Sequence, residues 1–253
     1  MQIDLNGKIA VVTGATGQLG RVMARALASC GADVAVHYLR NRAKAEELRR
    51  DITALGRRAM IAQADVVSLD SVLAMRNVIA SQLGDPDIIV NNAVSQYAWT
   101  TVLEQDPRDY EDQFRTCVLH NVHMVKAFVP EMIRKGWGRV IAISTECVMQ
   151  NLPGQSAYVA GKRGMDGVLR SLAREIGEHQ ITVNQVAPGW TISDRAREEG
   201  SEEQEEYQRS VALKRRGTDQ EVANAVAFLA SDLASFITGV YLPVCGGYVM
   251  PAI

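Results

Sequence analysis

Short apolar runs alternate with longer segments of helical spacing along almost the whole chain. Seven runs rich in valine and isoleucine predict strands at Lys8–Thr13, Asp33–His37, Ala59–Gln63, Asp87–Asn91, Arg139–Ser144, Ile181–Val186 and Gly239–Val244. The segments between them predict helices at Leu19–Ser29, Ala43–Leu55, Leu69–Leu83, Tyr110–Arg134, Gly161–Gly177 and Asp219–Ser231. Because strand and helix alternate, the pattern predicts parallel βαβ units.

The predicted strands are apolar throughout rather than alternating, which is typical of a sheet covered by helices on both faces. Seven such units with right-handed crossovers make a doubly wound, Rossmann-type α/β fold with a seven-stranded parallel sheet. Neither a flexible linker nor an internal repeat interrupts the 253 residues. We therefore expect a single catalytic domain over residues 1–253.

Residues 190–216 depart from this pattern. Six glutamates fall between Glu198 and Glu206, and basic residues flank them at 195, 197, 209 and 214–216. The segment lies between the last two strands in the sequence, and two interpretations stay open at this point. It is either a solvated surface helix or a mobile, lid-like insertion that covers a cleft.

Charge and cysteine content exclude several classes of partner. A formal net charge of −2 provides no basic excess for nucleic acid. The four cysteines, at 30, 117, 147 and 245, form no CxxC pair and no cluster with histidine, so we predict no metal site. Isolated cysteines fit a reducing compartment. The N-terminal residues do not resemble a signal peptide, and no apolar run approaches the roughly 20 residues that span a bilayer. We expect a cytoplasmic protein with no membrane partner.

The first predicted strand runs directly into a glycine-rich turn at Thr13–Gly20, and a helix follows. Glycines let the backbone turn tightly and approach a pyrophosphate, and the positive end of the next helix faces the phosphates. Glycines also serve ordinary strand–helix turns, but their place after the first strand of a βαβ unit favours a dinucleotide site.

The end of the second strand indicates which dinucleotide binds. NAD sites usually place an acid there for the ribose hydroxyls, whereas this chain reads HYLRNR at 37–42. Arg40 and Arg42 can pair with a 2′-phosphate, which a carboxylate would repel. Either arginine alone could be a solvated surface residue. Both arginines together, without an acid, predict NADP(H) over NAD(H).

Tyr158 and Lys162 lie four residues apart in a helical segment and therefore share one face of it. A free tyrosine has a pKa of about 10, and a neighbouring ammonium lowers that pKa by favouring the phenolate. The pair suits proton exchange with a carbonyl or alcohol near neutral pH. Since surface Tyr/Lys pairs are common, the spacing gains weight only in combination with the dinucleotide turn.

These motifs occur in an order that resembles the short-chain dehydrogenase/reductase family in its single-domain form, over nearly the whole chain. The resemblance rests on TGATGQLG (13–20), Asp65-Val66, NNAV (91–94), YVAGK (158–162), Asn184 with PGWTIS (188–193) and the tail at 215–247. The tail is similar to that of carbonyl reductases grouped with bacterial 3-oxoacyl reductases and glucose dehydrogenases. HYLRN is similar to the same segment of NADP-preferring members.

The resemblance implies a role for each matching residue. Tyr158 would be the general acid/base, Thr145 would hydrogen-bond the substrate oxygen, and Lys162 would bind the nicotinamide ribose and lower the tyrosine pKa. The other matching residues would bind the cofactor: Gly14, Thr16, Gly17, Gln18, Leu19 and Gly20 in the turn, Arg40 and Asn41 at the 2′-phosphate, Asp65 and Val66 at the adenine, Asn91 and Ala93 in the groove, and Pro188, Gly189, Thr191 and Ser193 near the nicotinamide and phosphates.

Four residues depart from the family pattern. Gln18 replaces the middle glycine of TGxxxGxG, and Val94 replaces the glycine of NNAG. Thr145 stands where a serine is usual but keeps a hydroxyl. Cys117 replaces the helix asparagine of the proton relay, and a thiol hydrogen-bonds weakly. The relay is therefore expected to be weakened, unless Asn121 holds the relay water through a shifted position or a local helix distortion.

The leading hypothesis is an NADP(H)-dependent oxidoreductase that interconverts a small carbonyl and an alcohol. Cys117 and Thr145 motivate an alternative, a cofactor-binding sensor or structural protein with weakened or lost catalysis. A further alternative is a 3-oxoacyl-carrier-protein reductase. Acidic carrier proteins need a basic docking patch, and the family positions that carry arginines correspond to Gly136 and His179 here. The small-molecule hypothesis is therefore favoured.

The sequence also predicts a substrate pocket and an assembly. The pocket walls are expected at Val94, Gln96, Tyr97, Trp99, Val148, Trp190 and the 190–212 segment. Surplus apolar residues in 107–135, 155–178 and 239–244, together with the family's pairing of these helices across a two-fold axis, predict a homotetramer.

Overall fold

The computed structural model describes residues 2–251 and has the predicted doubly wound fold. Seven parallel strands form one sheet in the order β3-β2-β1-β4-β5-β6-β7. The strands are β1 Ile9–Val12, β2 Asp33–Tyr38, β3 Ala59–Gln63, β4 Ile88–Asn91, β5 Gly138–Ile143, β6 Ile181–Pro188 and β7 Tyr241–Val244. Each predicted strand is present, with its ends moved by two residues at most.

The helices are α1 Gln18–Ser29, α2 Arg42–Ala54, α3 Leu69–Gln82, α4 Pro107–Gln113, α5 His120–Lys135, α6 Cys147–Gln150, α7 Ser156–Ile176, α8 Asp194–Glu199, α9 Glu205–Ser210 and α10 Asp219–Ala230. Side-chain caps mark several starts. Asn41 accepts from the Lys44 amide before α2, and Thr218 forms a capping box with Glu221 before α10.

Alternate strand residues enter two separate cores, as the pleat of a strand requires. Ala10 and Val12 of β1 pack with α1, α2 and α10 on one face, whereas Val11 packs with α3, α5 and α7 on the other. The sheet is therefore covered on both faces, which explains why its strands are apolar throughout.

The predicted helix Tyr110–Arg134 is interrupted. A wider π-helical turn at Phe114–Leu119 separates α4 from α5. Within it, the Cys117 carbonyl accepts a hydrogen bond of 2.7 Å from the Asn121 side-chain amide. The apolar repeat continues through this region, so the pattern of hydrophobic residues carried no sign of the change in pitch.

Residues 190–216 form two short helices, α8 and α9, rather than one solvated helix. The buried Arg216 guanidinium ties the segment together by donating to the carbonyl oxygens of Trp190, Thr191 and Glu202 at 3.2, 2.7 and 2.9 Å. The segment is therefore not one continuous helix, and its interpretation as a mobile lid over a cleft stays a prediction.

Candidate active site

Strand order reverses between β1 and β4, and the loops after these strands diverge to leave a cleft, as in other doubly wound sheets. The cleft has a volume of about 880 Å³. Thr13 joins the two loops, because its hydroxyl accepts from the backbone amides of Asn92 and Ala93 at 2.8 and 3.1 Å. Most of the predicted cofactor residues line this cleft: Gly14, Thr16, Gly17, Gln18, Leu19, Arg40, Asn41, Asp65, Val66 and Ala93.

The glycine-rich turn has the geometry that a dinucleotide requires. Gly14 has a φ of +61°, and a Cβ there would lie 3.1 Å from the Ala93 Cα. A Cβ on Gly20 would collide with the Gly14 carbonyl oxygen. The turn therefore exposes backbone at the start of α1, where a pyrophosphate fits against N–H groups and the helix dipole. The residues present fit a dinucleotide.

His37 supports this turn from below, a role that sequence reasoning missed. Its Nδ1 accepts from the Gly14 amide at 2.9 Å, and its Nε2 lies 3.1 Å from the Ala64 carbonyl oxygen. Burial lowers the His37 pKa to about 4, so the ring is neutral and Nε2 carries the proton. The one signal for this role in the sequence is the position of His37 at the end of β2.

The two arginines after β2 lie differently. Arg40 is exposed and lines the cleft, with no ion pair among the described residues. Arg42 lies outside the cleft lining, 3.9 Å from Glu46 on the surface of α2. Asp65 fixes the opposite wall by accepting from the Val67 amide at 3.1 Å. Only Arg40 of the pair is therefore in place for a 2′-phosphate.

Gln18 connects the glycine-rich turn to the 190–216 segment. Its Nε2 donates to the Ile192 carbonyl oxygen at 2.7 Å, and its Oε1 accepts from the Asp194 amide at 3.2 Å. Asp194 also pairs with Arg21 of α1 at 2.5 Å. A glycine at position 18, as in the usual family pattern, could make neither of the Gln18 contacts.

The other predicted residues after β6 are placed beside the cleft rather than in its lining. Pro188 ends β6, and the Gly189 amide donates to the Val244 carbonyl oxygen at 3.0 Å. The Ser193 hydroxyl caps α8 by accepting from the Ala196 amide at 3.0 Å. The Thr191 carbonyl oxygen is held by Arg216.

Tyr158 lies in the first turn of α7, against the end of β5. Its backbone amide donates to the Tyr97 hydroxyl at 2.8 Å, which satisfies one of the free N–H groups at the helix start. The Trp99 ring stacks on the Tyr158 ring, with centroids 6.1 Å apart. Thr145 follows β5, and its side chain lines the same cavity as the Tyr158 phenol. The structure therefore brings the predicted Thr145 and Tyr158 together.

Lys162 lies one turn below Tyr158 and is fully buried. Its Nζ donates to the Ile143 carbonyl oxygen at 2.6 Å and lies 5.7 Å from the centre of the Tyr158 ring. Burial lowers the Lys162 pKa. Gly161 permits this close packing of α7, because a Cβ there would lie 2.9 Å from the Gln113 carbonyl oxygen of α4.

The expected lowering of the Tyr158 pKa is wrong for this arrangement. Burial raises the Tyr158 pKa, and the nearby Cys147 and Cys117 add to the rise, while the hydrogen bond from Thr145 opposes it. The Lys162 ammonium donates to the Ile143 carbonyl oxygen, and no hydrogen bond joins it to the Tyr158 phenol in the described chain. Tyr158 is therefore a protonated phenol, which is the form that can donate a proton.

Cys117 faces the same region from the π-helical turn. It is buried, and its Sγ lies 3.7 Å from the Gln113 side-chain oxygen. Asn121 bridges the Cys117 carbonyl and the Asn91 side-chain amide, the latter at 2.7 Å. The Asn91 side-chain oxygen is buried and has no partner among the described residues. The π-helical turn is the local helix distortion that Asn121 would need in order to hold the relay water in place of residue 117.

A second cavity of about 700 Å³ adjoins the cleft, and Ser95 and Gln96 line both. Its lining includes Thr145, Tyr158 and four predicted wall positions: Gln96, Tyr97, Trp99 and Trp190. Two predicted walls lie elsewhere. Val94 faces the cofactor cleft, and Val148 lines a neighbouring groove with Arg163 and Tyr241, because the short helix α6 turns it away from the cavity.

The 190–216 segment contributes Gln204, Glu206, Tyr207 and Ser210 to this cavity, together with Trp190. The Tyr207 hydroxyl accepts from the Trp190 amide at 2.8 Å and donates to the Glu146 carboxylate at 3.0 Å. Sequence reasoning missed Glu146 and Tyr248, and it included Tyr207 only as part of the 190–212 segment. The acid next to Thr145 was the one available signal.

Comparisons with known proteins agree with this geometry. The family model described as enoyl-(acyl carrier protein) reductase matches residues 14–249. The chain therefore belongs to the short-chain dehydrogenase/reductase family and is an oxidoreductase of the nicotinamide-dependent type.

Several relatives span nearly the whole chain. It is 37% identical over 243 residues to the 3-oxoacyl-[acyl-carrier-protein] reductase FabG of Staphylococcus aureus strain Mu50, which covers 96% of this chain and 98% of the relative. A putative short-chain alcohol dehydrogenase from Sinorhizobium meliloti superposes with a TM-score of 0.89 at 30% identity, over 98% of each chain. The reductase LugOII, which catalyses keto-reduction at C1 during lugdunomycin biosynthesis, superposes with a TM-score of 0.89 at 31% identity, over 97% of this chain and 99% of that chain.

Two kinds of feature are absent from the described part of the chain. None of its helices is both long and apolar enough to cross a bilayer. Within residues 2–251, no three histidine, cysteine or acidic side chains are grouped as metal ligands.

Proposed function

We propose that this chain is an NADPH-dependent reductase of a small ketone or aldehyde. The observation that carries the proposal is the position of Thr145 and Tyr158. Both line the cavity of about 700 Å³, which we call the catalytic cavity. It meets the dinucleotide cleft at Ser95 and Gln96. The cleft and the cavity share a boundary near the protonated Tyr158 phenol. This arrangement suits the reduction of a substrate in the cavity by a cofactor in the cleft.

The chain's own residues bind, orient and protonate the substrate. The hydroxyls of Thr145 and Tyr158 hold the carbonyl oxygen, and Tyr158 donates its proton to that oxygen as the alcohol forms. A nicotinamide cofactor in the cleft supplies the hydride, so that ketone, NADPH and one proton give alcohol and NADP⁺. Lys162 would hold the nicotinamide ribose of the cofactor, and Asn91 would line its groove. Tyr97 and Trp99 hold Tyr158 in place.

The preference for NADPH rests on Arg40. Its exposed guanidinium lines the cleft next to Asn41, and the end of β2 carries no carboxylate that would repel a 2′-phosphate. The test is the loss of reduced-cofactor absorbance with a panel of ketones and aldehydes, supplied with NADPH or NADH. Turnover that is faster with NADPH is expected. A preference for NADH would overturn the cofactor assignment, and binding without turnover of any carbonyl would favour a sensor.

The carrier-protein reductases among the relatives favour a second candidate, reduction of an acyl group on a carrier protein. The basic residues near the predicted docking positions are already engaged. Lys135 pairs with Asp87 at 2.8 Å, Arg134 pairs with Glu131, and Arg139 is buried against Asp232. We therefore rank a free small molecule first. A kcat/KM that is higher for an acyl carrier protein thioester than for every small ketone would reverse this order.

We also propose that the chain assembles as a homotetramer in the cytoplasm, where its unpaired cysteines stay reduced. A shallow groove between α5 and α7 is lined by apolar side chains, including Val125, Ile133, Val168 and Leu172. Pairing this groove across a two-fold axis would cover it. Light scattering should give four times the chain mass, and Val168→Arg should lower it. A monomer at micromolar concentration would contradict the proposal.

A further inference from the structure

Aromatic rings dominate the wall of the catalytic cavity. Six of its lining residues are aromatic: Tyr97, Trp99, Tyr158, Trp190, Tyr207 and Tyr248. Tyr207 packs against two of the others, with ring centroids 5.5 Å from Trp190 and 5.0 Å from Tyr248. The faces of such rings carry a negative electrostatic potential and attract cations.

The charged side chains of the same wall are all acidic. Glu146 and Glu206 line the cavity, whereas lysine, arginine and histidine are missing from its lining in the part of the chain that the structure describes. Glu206 lies on the exposed surface of α9. Glu146 lies next to Thr145 and is 4% exposed, so its carboxylate acts in a region from which water is largely excluded.

Two cations lie close to the cavity, but neither lines it. The Arg216 guanidinium lies 4.8 Å from the centre of the Trp190 ring, and its N–H groups donate to backbone carbonyl oxygens. Lys162 lies below Tyr158 and donates to the Ile143 carbonyl. Within the described residues, neither Arg216 nor Lys162 forms a salt bridge with Glu146, because both donate to backbone carbonyl oxygens. Tyr207 donates to this carboxylate at 3.0 Å, and the Gln150 side chain and the Trp190 amide are further donors beside it, but all three donors are uncharged.

A buried carboxylate without a cation is costly, and burial accordingly raises the pKa of Glu146. The uncharged donors Tyr207, Gln150 and the Trp190 amide only partly oppose this rise. A positive group on a ligand would pair with the carboxylate and restore its charged form. The acid is therefore complementary to a ligand that brings the missing cation.

Gln155 adds a second, independent acceptor. It lines the cavity and is 7% exposed, and its side-chain oxygen has no hydrogen-bond partner among the described residues. An unpaired acceptor in a buried site is satisfied most simply by an N–H or O–H donor of the ligand.

We propose that the carbonyl substrate carries a positively charged amino group, which Glu146 and the surrounding aromatic rings bind while Thr145 and Tyr158 hold the carbonyl. The substrate class is an amino ketone or amino aldehyde, and the product is an amino alcohol. This inference rests on the proposed reductase function, and it makes Glu146 a specificity-determining residue.

The experiment uses three methyl ketones of one chain length with NADPH. The first ends in a dimethylammonium group, which keeps one N–H donor, the second in the neutral isopropyl group of the same shape, and the third in a carboxylate. We expect kcat/KM to be about 10- to 100-fold higher for the cation than for the neutral isostere, and lowest for the anion. Calorimetric titration of the three ketones without cofactor should give the same order of affinity.

Three variants separate charge recognition from the structural role of Glu146. Glu146→Gln keeps the shape but removes the charge, and it should bring the cation-to-neutral ratio close to one. Tyr207→Phe removes the hydrogen bond to Glu146 but keeps the charge and the ring, so the ratio should persist even if turnover falls. Glu203→Gln makes the same chemical change on the exposed part of the same segment and should leave the ratio unaltered.

The outcomes separate this inference from the function on which it rests. Reduction of the neutral ketone as efficiently as the cationic one would overturn the substrate class and leave the reductase function standing. Reduction of none of the three, nor of any other carbonyl, would overturn the reductase function, and calorimetry would then still decide whether the cavity prefers the cation. A ratio that survives in Glu146→Gln would show that Glu146 is not the selecting residue.

Discussion

The cofactor cleft and the catalytic cavity share Ser95 and Gln96, yet they are built in different ways. The cleft depends on backbone: a left-handed Gly14, a Gly20 that has no room for a Cβ, and strand ends whose order is set by the sheet. The cavity depends on side chains from segments far apart in the chain, such as Trp99, Glu146 and Tyr207.

The two regions therefore differ in how many amino-acid substitutions each can tolerate. Backbone geometry binds the part of a dinucleotide that all such cofactors share, so few sequences satisfy it. A side-chain wall can change one residue at a time without disturbing the strands that carry it. The cleft therefore defines the family, and the cavity defines the individual substrate.

The strongest way to separate the two regions is to remove the proton donor between them. Tyr158→Phe should lower kcat by about 10²–10⁴-fold, because the ring still packs against Trp99 but no longer carries a transferable proton. NADPH affinity, measured by fluorescence titration, should change by less than about threefold. Tyr97→Phe is the matched control: it removes a hydroxyl that contacts the Tyr158 amide, and its effect should be much smaller. Brisk turnover by Tyr158→Phe would place the acid elsewhere.

The cofactor side can be tested alone with the two arginines after β2. Arg40→Ala should raise KM for NADPH by about 10- to 100-fold and KM for NADH far less, because only NADPH carries the 2′-phosphate. Arg42→Ala should do little, since Arg42 lies by Glu46 on α2. Equal effects of the two substitutions on both cofactors would contradict the assignment of Arg40.

Gln18 links the two regions, so its loss should loosen the link. Gln18→Gly removes both hydrogen bonds to residues 192 and 194. We expect NADPH to dissociate up to about tenfold faster in stopped-flow fluorescence, with little change in kcat. Arg21→Ala, which removes the ion pair to Asp194, should act in the same direction. An unchanged dissociation rate in both variants would mean that the 190–216 segment does not retain the cofactor.

The cleft could be predicted from the sequence because its signals are local. The turn at Thr13–Gly20 depends on spacing within one element, and the apolar runs fix the sheet that carries it. The Tyr158–Lys162 pair beside the catalytic cavity could be predicted for the same reason. Asp65 and Asn91 follow from the family resemblance. The placement of these residues therefore required little knowledge of long-range packing.

The cavity wall could not be predicted in the same way. Glu146 and Tyr207 lie 61 residues apart and meet only because the 190–216 segment folds back over β5 and β6. Val148 was expected in the wall, but the short helix α6 turns it into another groove. No periodic pattern encodes the direction of such short segments. The π-helical turn at Phe114–Leu119 was hidden for the same reason, since one widened turn does not break an apolar repeat.

The smallest expected effect concerns that turn. Cys117 replaces an asparagine that relays protons in relatives, and from the sequence Cys117→Asn should raise turnover unless Asn121 serves instead. In the structure Asn121 already connects the Cys117 carbonyl to the Asn91 side chain. We therefore expect Cys117→Asn to change kcat by less than about threefold, whereas Asn121→Ala should lower it by about fivefold and enlarge the solvent isotope effect, because proton supply to Tyr158 becomes limiting. Unfolding by denaturant should be measured on both variants, since both residues are buried. If Cys117→Asn instead raises kcat well beyond threefold while Asn121→Ala is neutral, then Asn121 has only a structural role and the thiol is a defect in the relay.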